Sequence, residues 1–129
     1  MPTFFRSTTF TQTQRDYIAG QRLGRLATID ANGNPQNNPV GFRLNTELGT
    51  IDIGGHGMGN SKKFRNVLAN PKVAFVVDDV ATEPRQVRFV EIRGTAEQVT
   101  GEEPIFPGQD PEFIRVHPTL IISFGLGED

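Results

Sequence analysis

Apolar positions along the chain begin at helical spacing and then switch to alternation. Thr11 and Gln14 stand three apart, as the partners of a capping box do, and Tyr17 and Ile18 follow before Gly24; this predicts a short helix over 11–22. From Leu23 the period is that of a strand. GRLATID runs into ANGNP, whose Asn32-Gly33 predicts a two-residue hairpin loop. The next strand, QNNPVGFRLN, carries Pro39, which cannot donate to a ladder, and Gly41, which lets a backbone or a ligand come close, so an irregular, exposed centre is expected. GTIDIGG gives a third strand with Ile51 and Ile53 on one face, and the glycine-rich Gly54–Gly59 segment reads as a flexible turn.

Over 61–69 the period returns to that of a helix. Phe64, Val67 and Leu68 form an apolar stripe expected to cap the sheet, with Lys62, Lys63 and Asn66 facing elsewhere. Three β segments complete the chain: KVAFVVDD, VRFVEIRGTAEQV with a bulge expected at Gly94, and FIRVHPTLIISFGL. GEEPIFPGQDPE reads as a surface loop between the last two. Six strands, a helix after the third and no βαβ alternation predict a mostly β protein, a six-stranded antiparallel barrel with one or two short helices.

Length makes this one domain over 1–129, able to bury roughly two thirds of its unfolded surface. With no cysteine, thiol nucleophiles, disulfides and the usual structural zinc sites are excluded, and a cytoplasmic setting is expected. Met-Pro-Thr-Phe-Phe-Arg does not open a signal peptide, and no apolar run is long enough to span a membrane. Thirteen Lys+Arg against fifteen Asp+Glu argue against following a phosphate backbone. The single Tyr and absent Trp also disfavour an OB-like barrel that stacks bases. No nucleic-acid partner is expected. His56 and His117 are too few and too far apart in sequence for a metal site, and none is expected.

The chemistry concentrates at Ser61-Lys62-Lys63. Unpaired N–H groups at a helix start, a hydroxyl and two ammonium groups converge on a small volume, which is what an anion such as phosphate needs. Between Glu47 and Asp78 the only acid is Asp52, so the two lysines lack obvious local partners.

These residues, with Asn66-Val67 and Asn70-Pro71-Lys72-Val73, resemble the helix signature of the split-barrel flavin-binding proteins related to pyridoxamine phosphate oxidase. DANGNPQNNPVGF resembles that family's first hairpin and the strand lining its ring pocket, and IRVHPTLIISFG its closing strand. The resemblance covers nearly the whole chain and is closest to the short members that use the deazaflavin coenzyme F420, with FMN the alternative. It implies a split β-barrel whose Ser61, Lys62 and Lys63 hold a cofactor phosphate or acidic tail. It also implies a ring lying against the backbone of Asn38, Pro39, Val40 and Gly41, and a homodimer with the pocket between subunits. His56, in the glycine turn, is a further candidate contact. No Arg- and His-bearing tail follows SFGLG, so the resemblance does not extend to vitamin B6 oxidation.

The function expected is F420-dependent hydride transfer to a small organic substrate, with walls contributed by residues 43–50 and 100–112. The competing reading is a non-catalytic carrier of flavin, haem or tetrapyrrole. No catalytic side chain is identified. Asp78 and Asp79 read as solvated acids, Arg88, Arg93 and Arg115 as exposed strand residues, and His117 as structural.

Overall fold

A computed structural model describes residues 3–128; residues 1, 2 and 129 of the expected 1–129 unit lie outside the described residues. The elements are β1 (Phe4–Ser7), α1 (Gln12–Ala19), β2 (Leu23–Ile29), β3 (Pro35–Asn45), β4 (Thr50–Gly54), a 3-10 turn (Met58–Asn60), α2 (Lys62–Ala69), β5 (Lys72–Thr82), β6 (Arg85–Val99) and β7 (Phe113–Phe124). The strands form one antiparallel sheet in the order β1-β7-β4-β3-β2-β5-β6, and β6 pairing with β7 closes six of them into a barrel. The expected architecture is therefore observed, with one strand more: β1 lies on the second half of β7, from Phe4↔Phe124 to Ser7↔Ile121.

Alternation sets the barrel's two faces. Leu26, Val40, Phe42, Phe75, Val77, Val90, Ile92, Val116 and Ile121 point inward and form the core with Ile51 and Ile53. At the register shift between Arg93 and Gly94, β6 carries the expected irregularity. The capping box at Thr11 is formed: the Gln14 N–H donates to Thr11 Oγ1 at 3.1 Å and the Thr11 N–H to Gln14 Oε1 at 3.0 Å. Gln14 is fully buried and also donates to Ser123 Oγ at 3.1 Å, so one side chain caps α1 and fastens it to β7.

Three local expectations are corrected. The β2–β3 connection is not a two-residue loop. The Gly33 N–H returns to the Asp30 carbonyl at 3.0 Å, and Gly33 at φ +84° supplies the left-handed residue that follows such a turn. Strand β3 is regular through its middle, Pro39 opposite Arg25 and Gly41 opposite Leu23, because Val40 and Phe42 have core positions to fill. On α2, Leu68 is 75% exposed, whereas Asn66, placed on the outside by the apolar pattern, is buried. Asn66 donates to Thr28 Oγ1 at 3.0 Å and Gln36 Oε1 at 2.9 Å, two bonds that outweigh the transfer of Leu68 into the barrel mouth.

Candidate functional site

Strand β4 leaves the sheet at Gly54, opposite Gly41. Beyond that point β3 is paired with β2 alone, so the backbone from Pro35 to Val40 has a free edge. This is the split in the barrel. Proline is tolerated at Pro39 because an edge does not require its N–H. Asn38 is half-buried and accepts from Gln36 Nε2 at 2.6 Å, Pro39 is exposed, Val40 turns its side chain inward, and Gly41 has none. What the four predicted residues offer outward is main chain and one proline ring.

Helix α2 starts beside this edge, since Asn66, a turn further on, bonds Gln36 of β3. Ser61 is its N-cap, accepting the Phe64 N–H at 3.2 Å and donating its hydroxyl to the Met58 carbonyl at 2.7 Å. No acid stands in the first turn. Lys62 does have a partner, contrary to expectation: its Nζ lies 3.5 Å from Asp30 Oδ2, with 55% of the lysine side chain exposed. Asp30 comes from the β2–β3 loop, outside any local window. Its carboxylate is already held by the N–H groups of Asn32 and Asn34, each at 2.9 Å, and the Asn34 contact is the chief reason it stays ionised below the usual range. Lys62 is a secondary partner there, and its ammonium keeps donors for a second anion. Lys63 is half-buried and makes no ion pair among the described residues.

The glycine turn expected to be flexible is fastened. Met58 is buried, Gly57 adopts φ +67°, and the N–H groups of Gly57 and Gly59 donate to the Asp110 carboxylate at 3.1 and 3.3 Å. His56 is exposed at its start with no side-chain hydrogen bond among the described residues. Asp110 belongs to the β6–β7 loop, which is more than surface: Ile105 is buried in a second small core with Val99 and Phe113, and Phe106 packs against it. A Cβ built on Gly41 would lie 3.7 Å from Phe106 Cε2, so this ring overlooks the end of the free edge. The two expected wall segments meet each other where Arg43 Nη1 donates to the Ile105 carbonyl at 3.3 Å; Phe106 of the second stands at the free edge, a main-chain shelf, while Leu48 and Gly49 of the first line a separate hollow with Thr8, Phe10 and His117.

Two of the three arginines, Arg115 and Arg88, are corrected as well. Arg115 is largely covered, its side chain 11% exposed: it grips the fully buried Asp52 through Nε at 3.0 Å and Nη2 at 3.2 Å, and Glu102 of the β6–β7 loop reaches its Nη1 at 3.4 Å on that outer face. Arg88 forks onto Asp79 at 2.9 and 2.6 Å and stacks on Tyr17, whose hydroxyl donates to the same carboxylate at 2.9 Å. Asp79 is accordingly held below the ordinary carboxylate range, chiefly by Arg88, and burial pushes the Tyr17 phenol up. Arg93 is exposed beside Glu91, and His117 pairs with Glu97 at the surface. Next to the free edge, Asn37 opens onto a hollow of about 460 Å³ on the outside of β2, β5 and β6, floored by Ala27, Ala74, Val76, Val87 and Phe89.

A sequence profile described as pyridoxamine 5'-phosphate oxidase matches residues 10–109, spanning the first hairpin, the free edge, the lysine pair and most of the β6–β7 loop. The chain belongs to that family. Within it, a 5a,11a-dehydrotetracycline/5a,11a-dehydrooxytetracycline reductase of Streptomyces rimosus is 48% identical over 122 residues, 93% of this chain and 86% of the relative. Kinship with a reductase over that span makes this chain an oxidoreductase. The fold is shared with a conserved hypothetical protein of Mycobacterium tuberculosis, TM-score 0.73 at 19% identity, covering 93% of this chain and 88% of that one. It is also shared with an FAD binding protein of Mycobacterium smegmatis, TM-score 0.63 at 22% identity, covering 96% and 98%. The barrel with one open strand edge is thus a fold that this chain shares with both proteins. No helix among the described residues is long and apolar enough to cross a membrane.

Proposed function

We propose that the chain binds the deazaflavin coenzyme F420 and reduces a conjugated organic acceptor with it. The observation that carries this reading is a helix start with a serine cap and two cations of which only one has a loosely held acidic partner, set beside a strand edge that offers main chain to a flat ring. Such a donor set fits a phosphate, because N–H groups and ammonium charges converge on it. When bound, the coenzyme supplies the hydride, and the protein needs no nucleophile.

The chain's own residues bind and orient. Lys62 and Lys63 hold the acidic end, Ser61 fixes the helix start between them and the Met58 carbonyl, and the backbone of Asn38–Gly41 supports the ring face. A second copy excludes water: the apolar hollow continuous with Asn37 gives it a surface to cover, so the working form is a homodimer. The named substrate of the Streptomyces rimosus relative, a polycyclic enone, is the first acceptor to try. The product's second hydrogen is a proton, supplied by solvent or by a nearby side chain.

Titration of purified protein with F420 and with FMN tests the assignment. The expected result is tighter binding of F420, weakening as salt rises, since exposed cations hold the acidic tail. FMN binding tighter by tenfold, about 1.4 kcal/mol, would move the assignment to a flavoprotein.

A further inference from the structure

The β6–β7 loop, the 100–112 segment expected to supply a wall, touches both halves of the candidate site. At one point Asp110 takes the N–H groups of Gly57 and Gly59, the turn that leads into Ser61. At another, Arg43 Nη1 donates to the Ile105 carbonyl at 3.3 Å. Between these anchors the loop lies in a trough made by two glycines paired across β3 and β4. A Cβ on Gly54 would meet Gln109 Oε1 at 2.6 Å and Ile105 Cβ at 3.0 Å, so the loop sits as close as backbone allows. That packing turns Phe106, half-buried, over Gly41 at the end of the shelf. Gln109 Oε1 is buried there without a hydrogen-bond partner among the described residues, an acceptor available to a polar group brought in beside the ring.

We infer that Phe106 is the substrate-side wall of the shelf and sets the size of acceptor that can lie on the cofactor ring, with Asp110 as the residue that positions it. The inference rests on the proposed cofactor site. A wall made by one aromatic ring on an anchored loop discriminates by volume, and replacing it shifts relative rates for large and small acceptors by about tenfold to a hundredfold.

The test compares kcat/KM for 5a,11a-dehydrotetracycline and for cyclohexenone, with reduced F420, in wild-type protein, Phe106→Ala and Phe106→Trp. The expected ratio of large to small acceptor rises by about tenfold in Phe106→Ala and falls in Phe106→Trp, while cofactor Kd stays within about twofold. A loop that had merely been loosened would not move the ratio in opposite directions. Because the chain has no tryptophan, Phe106→Trp also introduces a lone indole, whose emission is quenched by bound coenzyme more strongly than that of Leu48→Trp in the β3–β4 turn. An unmoved ratio, equal quenching of the two indoles, or neither enone being reduced by protein that holds the coenzyme overturns the assignment of Phe106. Failure of wild-type protein to bind F420 or FMN overturns the cofactor site itself, and Phe106 with it.

Discussion

Two ammonium groups at the positive end of a helix repel the dipole and each other unless an anion joins them. Asp30 relieves one of them at 3.5 Å and leaves Lys63 unrelieved among the described residues. Lys63→Ala should therefore weaken cofactor binding by roughly 1.5–3 kcal/mol, the worth of one charge-assisted contact, and leave the melting temperature of cofactor-free protein the same or slightly raised. Lys72→Ala, exposed on β5, serves as the control in the same calorimetric titration; equal affinities would make Lys63 an ordinary surface cation. The motif itself was legible because its residue types and order are local. Its neighbours were not. Asp30, Asp110 and Phe106 reach it from other loops, and no spacing rule connects them. Arg115 was misread for a related reason: strand parity puts it on the outside of the barrel, and only the fold shows that a loop covers that outside.

Periodicity gave the strands and helices their places because each period answers to one buried face, and the capping box at Thr11 was visible because its two partners are three residues apart. β1 escaped notice. It is four residues long, with Phe4 61% exposed, and its pairing with β7 is dictated by tertiary contact rather than by a pattern of its own. Leu68 and Asn66 exchanged roles because two specific hydrogen bonds decided the face of α2. Gly94 was legible as an irregularity, and the structure supplies the reason: a Cβ there would stand 2.0 Å from the His117 carbonyl oxygen of β7. Backbone cannot yield as a side-chain tip can, so Gly94→Ala should destabilise the protein by roughly 2–4 kcal/mol. Urea unfolding should show a lower midpoint with an unchanged slope; a midpoint within error of wild type would mean that the bulge relaxes freely.

On the outside of the closed barrel, over β2, β5 and β6, lies the hollow floored by Ala27, Ala74, Val76, Val87 and Phe89, with Val87 40% exposed. In the proposed dimer the second copy covers this face, so Val87→Asp buries a carboxylate there and should shift the dimer toward monomer and weaken cofactor binding in parallel, as light scattering beside a cofactor titration would show. A wild-type monomer that binds cofactor tightly would remove the shared pocket. Barrel closure was legible from strand count and the absence of crossover helices; the open half of β3 was not, because it depends on where β4 stops. That opening has a second consequence. A bare strand edge is a template for any other extended chain, the usual start of sheet-to-sheet aggregation. Pro35 and Pro39 stand within the stretch whose second edge is free, and Gln36, Asn37 and Asn38 fill the interval between them, so an incoming strand finds interrupted donors and polar side chains where it needs a continuous apolar ladder. The same sequence that leaves room for a flat ring protects the opening against being sealed by a stray β-strand.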